Sequence, residues 1–368
     1  MSVRRKQITV DINSIVPYYV RGWVSGIGRT TMELVRAMNG LSNLPIDITL
    51  YSQNMKGIGG RNLGLDFRNK HLYLPYRRNW NKVVSFTPMR ELLTGYDLYH
   101  IPHNFDYVHN PDRAIVTIHD TLFFTHPEQS LNHAYSREHV PELAKKCRGI
   151  ITCSESSKRD IVKYMNVPED KVDVCPWGLN HQMFYPNKQK RTGAPFFLMV
   201  SCSTGRKNTI SLIRAYEKFV THNPRHELVL VWPNPSKEIQ EYCDKEPLRS
   251  HVYICNDIDD ERLSRLYNEA TATFFPSRYE GFGLPVLESL ACGTPVVTCN
   301  NSALPEVGGD AAFYVDPDDI DSMVDYMERF ENNEFDMATL SAKCIQQAEQ
   351  FRWERCARQT IEVYQKYL

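Results

Sequence analysis

Between Ser277 and Val297 the chain reads Ser-Arg-Tyr-Glu-Gly-Phe-Gly-Leu-Pro-Val-Leu-Glu-Ser-Leu-Ala-Cys-Gly-Thr-Pro-Val-Val. No other stretch limits the fold so tightly. The apolar run Ala272-Thr-Phe-Phe275 ahead of it reads as a buried strand. Gly281 and Gly283 remove two Cβ atoms just past the strand end, so a ligand can approach the backbone closely. Pro285 suits the first turn of a helix, where its missing N–H costs nothing. Gly293 suits the helix stop, and Pro295-Val-Val-Thr-Cys299 reads as the next strand. A helix N-terminus offers N–H groups and a positive dipole end, a ready site for phosphate. Glu280 on the turn and Glu288 in the helix can each accept hydrogen bonds from hydroxyl groups. A buried βαβ unit with merely solvated glutamates has the same local pattern, so the Gly-rich turn alone decides nothing.

The chain has 368 residues, which suits two domains rather than one ordinary α/β core. With 42% hydrophobic and 24% charged residues the composition is globular. The net charge of -1 gives no global bias toward nucleic acid. The charge is uneven: residues 1–180 carry 23 Lys and Arg against 17 Asp and Glu, and the remainder 20 against 27. The ten cysteines form no Cys-x-x-Cys pair and sit beside apolar residues, as expected of reduced, buried thiols in a cytosolic compartment. Met-Ser-Val-Arg-Arg-Lys runs straight into a polar strand, so neither a cleaved leader nor a membrane span is expected.

Further motifs follow in chain order. Gln7–Asn13 reads as a first strand; Val24-Ser-Gly-Ile-Gly28-Arg29-Thr30 then reads as a Gly-rich turn opening a helix over Thr31–Met38, although a tight turn alone would look the same. Residues 51–90 hold eight basic residues, Arg77 and Arg78 among them, against Asp66 alone, with Phe67, Tyr73, Tyr76, Trp80 and Phe86 interleaved. Such a segment suits an anionic membrane surface or a lipid-diphosphate; a solvated basic loop is the plain alternative. Ala114-Ile-Val-Thr-Ile-His119-Asp120 is an apolar strand ending in His-Asp, which points the histidine into the crevice where parallel sheets bind ligands. His126 reads as structural, and His100, His103 and His119 have no metal-motif spacing. Ser154 suits the cap of a helix after the strand Gly149–Thr152. Pro195–Val200 reads as a strand, and Arg206 and Lys207 then stand before a helix opening at Thr209, two cations suited to a diphosphate. The acidic run Asp316–Asp336 reads as a solvated helix face, and Phe351–Tyr367 as a final amphipathic helix.

The string Glu280-Gly-Phe-Gly-Leu-Pro…Glu288, with Ala-Cys-Gly-Thr-Pro-Val-Val behind it, resembles the Glu-x7-Glu signature of the retaining glycosyltransferases of family 4 (glycosyl transferases group 1). Gly-Ile-Gly28-Arg29, Thr-Ile-His119-Asp120 and Ser302-Ala-Leu-Pro-Glu-Val resemble further strings of that family, of the kind found in bacterial polysaccharide assembly. The resemblance covers nearly the whole chain, with residues 40–95 the least matched. It implies the α/β GT-B fold: two Rossmann-like doubly wound parallel-sheet domains facing a cleft. The domains implied are an acceptor domain at 1–185, a nucleotide-sugar domain at 186–350, and a C-terminal helix at 351–368 packing back on the first. Asn180 stands where the family usually has Asp, and Ser201 where some members carry a further arginine.

By that resemblance the reaction is transfer of a sugar from a nucleotide-sugar, with retention, to a glycan or lipid-linked acceptor. GDP-mannose is the favoured donor and a UDP-sugar the runner-up; neither cofactor nor metal is required, and no nucleic acid is bound. The implied catalytic residues are His119, Glu280, Lys207 and Arg206. Donor-binding residues are Gly28, Glu288, Gly281, Phe282, Gly283 and Leu284, and Arg29, Arg77 and Arg78 face acceptor or membrane. The implied location is cytoplasmic, with peripheral contact at the inner membrane face. Competing classes are another GT-B enzyme, a phosphorylase or epimerase, and a non-catalytic binding module of the same fold.

Overall fold

A computed structural model describes residues 4–22, 25–103, 107–129, 133–187, 193–200, 205–222 and 224–368. Val24, the polar linker residues 188–192 and Ser201 lie outside the described residues. The chain divides into two compact units, one made of 1–178 with 352–368 and the other of 179–351. Asn180 shows why the bend after Gly178 tolerates Asn: its Oδ1 accepts the Gln182 N–H at 3.1 Å, a turn that Asp would also make.

The first unit is built on seven strands: β1 (Gln7–Asp11), β2 (Asp47–Gln53), β3 (Arg68–Leu72), β4 (Leu98–Ile101), β5 (Ala114–Thr117), β6 (Gly149–Thr152) and β7 (Val172–Val174). They run parallel in the order β3-β2-β1-β4-β5-β6-β7. The inner strands β1, β4, β5 and β6 are buried on both sides while the edge strand β3 is not, and alternate residues feed two cores. Ile8, Val10, Leu98 and Ile115 face one core with Val35 and Met38 of the helix Gly26–Gly40 and Ile361 and Tyr364 of the helix Trp353–Tyr367. Tyr99, Ile101, Val116 and Ile150 face the other with Val140 and Ile161.

The helix expected over Thr31–Met38 begins earlier, at Gly26. Ser25 is its cap and accepts the Gly28 N–H at 3.2 Å, so Gly26 and Gly28 form the first helical turn rather than a separate Gly-rich turn. Ser154 caps the helix Glu155–Met165 in the same way, accepting from Ser157 N at 3.0 Å. His100 on β4 is buried, with Nδ1 2.6 Å from the Tyr364 hydroxyl and Nε2 2.8 Å from Thr117 Oγ1. It ties the final helix to the sheet and stays neutral, because burial drives its pKa down to about 3.

The second unit has six parallel strands: β8 (Phe196–Met199), β9 (Glu227–Val231), β10 (Val252–Cys255), β11 (Ala272–Phe275), β12 (Val296–Cys299) and β13 (Ala312–Val315). Their order is β10-β9-β8-β11-β12-β13. Of the acidic run, the helix Ile320–Glu331 buries Met323, Met327 and Phe330, so its far face is solvated as expected. Glu331 is the exception: it bonds Arg225 Nε at 2.7 Å and His226 Nδ1 at 2.5 Å. Burial would raise its pKa, but these hydrogen bonds outweigh burial and hold it at about 2.

In the first unit Gly178 lies against the start of the final helix, where a Cβ would stand 2.0 Å from the Trp353 backbone nitrogen. Backbone cannot yield as a side-chain tip can. Gly178→Ala is therefore expected to destabilise the first unit by about 1–3 kcal/mol or more, seen in scanning calorimetry as an earlier transition of that unit with the second unit's transition unmoved.

Candidate active site

In both sheets the strand order reverses once, between β1 and β4 and between β8 and β11. Crevices beyond the strand ends at such reversals are where open parallel sheets bind ligands. In the second unit three loops meet there, following β8, β11 and β12.

Backbone bonds sew them together. Arg278 N donates to Arg206 O at 2.7 Å, joining the β11 loop to the β8 loop. Glu280 N donates to Ser302 Oγ at 3.0 Å and Asn301 Nδ2 to Ser277 O at 3.2 Å, joining it to the β12 loop. Arg278 also pairs with Asp318 Oδ2 at 2.8 Å and Asn208 Oδ1 at 3.2 Å. Asn208, in the left-handed region at φ 59, opens the helix Thr209–Val220.

At the centre is Glu280, 8% exposed. Its Oε1 lies 2.7 Å from Arg206 Nη1, 2.7 Å from Lys207 Nζ and 2.7 Å from Ser277 Oγ. Arg206 Nη1 also donates to Tyr279 O at 2.9 Å, and Lys207 Nζ sits 4.7 Å over the Phe275 ring. Burial alone would raise the Glu280 pKa; the charges of Lys207 and then Arg206, with hydrogen bonds from Lys207 and Ser277, outweigh it and hold the carboxyl below its ordinary range. Two cations converge on one carboxylate oxygen in a poorly solvated place, an arrangement that suits an anion beside them.

The helix Leu284–Ala291 starts beside this cluster, with Pro285 in its first turn as expected. Its cap is Gly283 at φ 108, a left-handed conformation that a side chain would strain, and an added Cβ would come 3.0 Å from Leu304 Cδ2. Glycine brings no capping side chain; Pro285 has no N–H and the Val286 N–H donates to Gly283 O at 3.0 Å, so the Leu284 amide is the helix-start donor left for an anion. Glu288, in the second turn of that helix, is buried and accepts a 2.8 Å hydrogen bond from the Tyr267 hydroxyl. Gly281, Phe282, Gly283 and Leu284 thus link the two glutamates in one continuous turn.

In the first unit, His119 follows β5 and is buried. Its Nε2 is 3.2 Å from Pro102 O, so that nitrogen carries the proton, and its ring centre lies 5.1 Å from that of Trp177. The Ser157 hydroxyl fixes the His119 carbonyl at 3.0 Å. Burial lowers its pKa to about 4, against the raising effect of the Pro102 bond, so the imidazole is neutral near pH 7. Gly28 is buried in the first turn of its helix and Arg29 beside it is half-buried. Arg77 and Arg78 lie far along the chain on an exposed face, with the Arg78 guanidinium 3.7 Å over the Tyr135 ring. Among the described residues no three His, Cys, Asp or Glu side chains are grouped to hold a metal ion, and no helix is long and apolar enough to cross a membrane.

Neither Ser277 nor Tyr267 stands out in the sequence as a functional position, whereas Ser302 belongs to a string that resembles the family's. Ser277 stands three residues before Glu280, a spacing that allows a local hydrogen bond within a turn. Tyr267 had no comparable signal, because its partner lies on another helix.

Residues 24–182 match the family described as Glycosyltransferase Family 4, and residues 183–351 match Glycosyl transferases group 1. The O-antigen chain mannosyltransferase B of Escherichia coli is 30% identical over 73% of this chain and 74% of that protein. The O-antigen chain mannosyltransferase RfbU of Salmonella typhimurium is 28% identical over 59% of this chain and 63% of its own length. Among solved structures, sucrose-phosphate synthase from Thermosynechococcus elongatus superposes with a TM-score of 0.76 at 18% identity, covering 98% of this chain and 99% of that one. WaaG, a glycosyltransferase of lipopolysaccharide biosynthesis, gives 0.70 at 14% identity over 97% and 99%.

The Glu280 cluster makes stability depend on pH with a definite sign. A depressed folded pKa contributes stability above the unfolded value, and that stability is lost as pH falls through the folded value. The melting temperature of the second unit in wild type should therefore exceed that in Glu280→Gln at neutral pH, and the gap should close in acid; a gap independent of pH would contradict the pairing. With the two parallel-sheet units, the matched families and the E. coli relative in agreement, the chain belongs to the family 4, group 1 glycosyltransferases and has the GT-B fold.

Proposed function

We propose that this glycosyltransferase moves mannose from GDP-mannose, with retention, to a glycan or lipid-linked oligosaccharide acceptor in O-antigen-type polysaccharide assembly. The names of the relatives support the sugar and the pathway class. The observation that carries the chemistry is the buried Glu280 carboxylate holding both Arg206 and Lys207 at a strand-order reversal.

In the reaction the bond between the anomeric carbon and a β-phosphate oxygen breaks, and negative charge grows on the diphosphate. Arg206, Lys207 and the Leu284 amide at the start of the Leu284–Ala291 helix stabilise that charge; each such donor contributes about 2.7–4 kcal/mol if it acts like an oxyanion-hole donor. The acceptor hydroxyl oxygen forms the new bond on the same face, and its proton passes to the departing diphosphate oxygen. Glu280 keeps the two cations in place while sharing them with the diphosphate, and with Gly281 to Gly283 it binds sugar hydroxyls. Glu288, steadied by Tyr267, takes the ribose hydroxyls. His119 is neutral, so it serves the sugar as a hydrogen-bonding group and adds nothing to diphosphate charge. Gly28 gives close approach and Arg29 supplies a cation on the acceptor side.

The test is turnover in the presence of chelator with GDP-mannose, UDP-glucose, UDP-galactose and UDP-N-acetylglucosamine. GDP-mannose alone should support transfer, and NMR of the product should show the anomeric configuration of the donor. Turnover with a UDP-sugar instead would replace the donor, an inverted product would remove the same-face mechanism, and activity lost in chelator and restored by Mg²⁺ would remove the metal-free scheme.

A further inference from the structure

The helices Arg78–Ser85 and Met89–Thr94 carry polar residues among their inward positions and apolar residues on their outward ones. Asn81, Arg90 and Thr94 are buried beside Val84. Asn81 Oδ1 accepts from Gln53 Nε2 at 3.1 Å. Arg90 Nη1 donates to Tyr107 O, and its guanidinium lies 5.6 Å from the ring centres of both Tyr51 and Tyr99. Even the carboxylate of Glu91 has its oxygens buried. The outward positions are apolar: Trp80 is 43% exposed, Val83 56%, Phe86 72%, Met89 37% and Leu92 81%.

These five recur at every third residue from 80 to 92. Residues three apart share a helix face, and the break between the two helices at Phe86–Pro88 stops the stripe from rotating away. Thirteen large hydrophobic side chains are exposed among the described residues, and these five fall in one thirteen-residue segment. Scattered exposed apolar residues need no explanation, but a continuous exposed stripe, on helices that bury Asn81, Arg90 and Thr94 instead, marks a surface that meets something.

The charges select the partner. Arg77, Arg78 and Lys82 are exposed along the same segment, and no Asp or Glu occurs between Asp66 and Glu91. A second copy docked through the same face would set these cations against their own images. A lipid surface carrying anionic headgroups takes the apolar stripe and the cations together, with Trp80 at the depth where indole rings settle. We infer that the Arg78–Ser85 and Met89–Thr94 helices form a face that seats this enzyme on an anionic membrane surface without crossing it. The inference rests on this face alone and stands whichever sugar is transferred.

Sedimentation of the full chain with vesicles tests it. Wild type should bind phosphatidylglycerol-rich vesicles and leave pure phosphatidylcholine vesicles largely unbound. Lys82→Ala should lower the partition constant about fivefold, an effect that fades at high salt, and Trp80→Ser with Leu92→Ser should lower it about tenfold or more. All three side chains are exposed, so thermal melts and calorimetric nucleotide binding should stay at wild-type values, which keeps this test separate from the donor-binding reading. Equal binding to both lipids, or unchanged binding by the double variant, would overturn the inference. So would self-association in sedimentation velocity that Leu92→Ser abolishes while vesicles go unbound.

Discussion

A single buried carboxylate organises the second unit. Glu280 gathers Arg206 and Lys207 from a loop that follows a different strand, and Ser277 from its own loop, onto one oxygen. Two cations and a carboxylate withdrawn from water are costly singly and tolerable only together. The cluster is therefore fixed before any ligand arrives, and its cations are held in a medium where charge interactions are strong. Preorganisation of this kind is what a developing negative charge requires, because no dipole has to be reoriented during reaction.

The parts that hold the cluster are backbone parts. Gly283 makes the left-handed step that lets the Leu284–Ala291 helix begin at the carboxylate, and the Ser302 and Arg278 bonds fix the neighbouring loops. In the first unit the same economy appears in a different form. His119 is anchored by its carbonyl and its Nε2, and burial keeps it neutral, in contrast to the charged Glu280 cluster.

What could be read from the sequence was what local rules determine. Pro285, Gly283 and Gly293 mark the start and stop of one helix; Ser154 marks another; and alternation of apolar runs with Gly-rich segments marks parallel α/β sheets. Reading the Gly26–Gly28 segment as a turn failed because a serine cap one residue earlier makes two glycines into a helical turn, and propensity alone places them outside. Pairings across long sequence separations were not legible. Arg206 and Lys207 stood out as cations for a diphosphate, yet nothing local indicated that Glu280, 74 residues after Arg206, would hold both. Nor did local patterning show that Asn81 and Arg90 point inward, since that depends on Gln53, Tyr51 and Tyr107 from other segments.

The claim at the centre of this account is that the Arg206–Lys207–Glu280 cluster binds the second phosphate of the leaving nucleotide. Calorimetric titration of wild type and Lys207→Ala with a nucleoside diphosphate and with the matching monophosphate tests it most directly. Wild type should prefer the diphosphate strongly, and Lys207→Ala should lose most of that preference while binding the monophosphate as before. A preference that survives in Lys207→Ala, or that is absent from wild type, would contradict it.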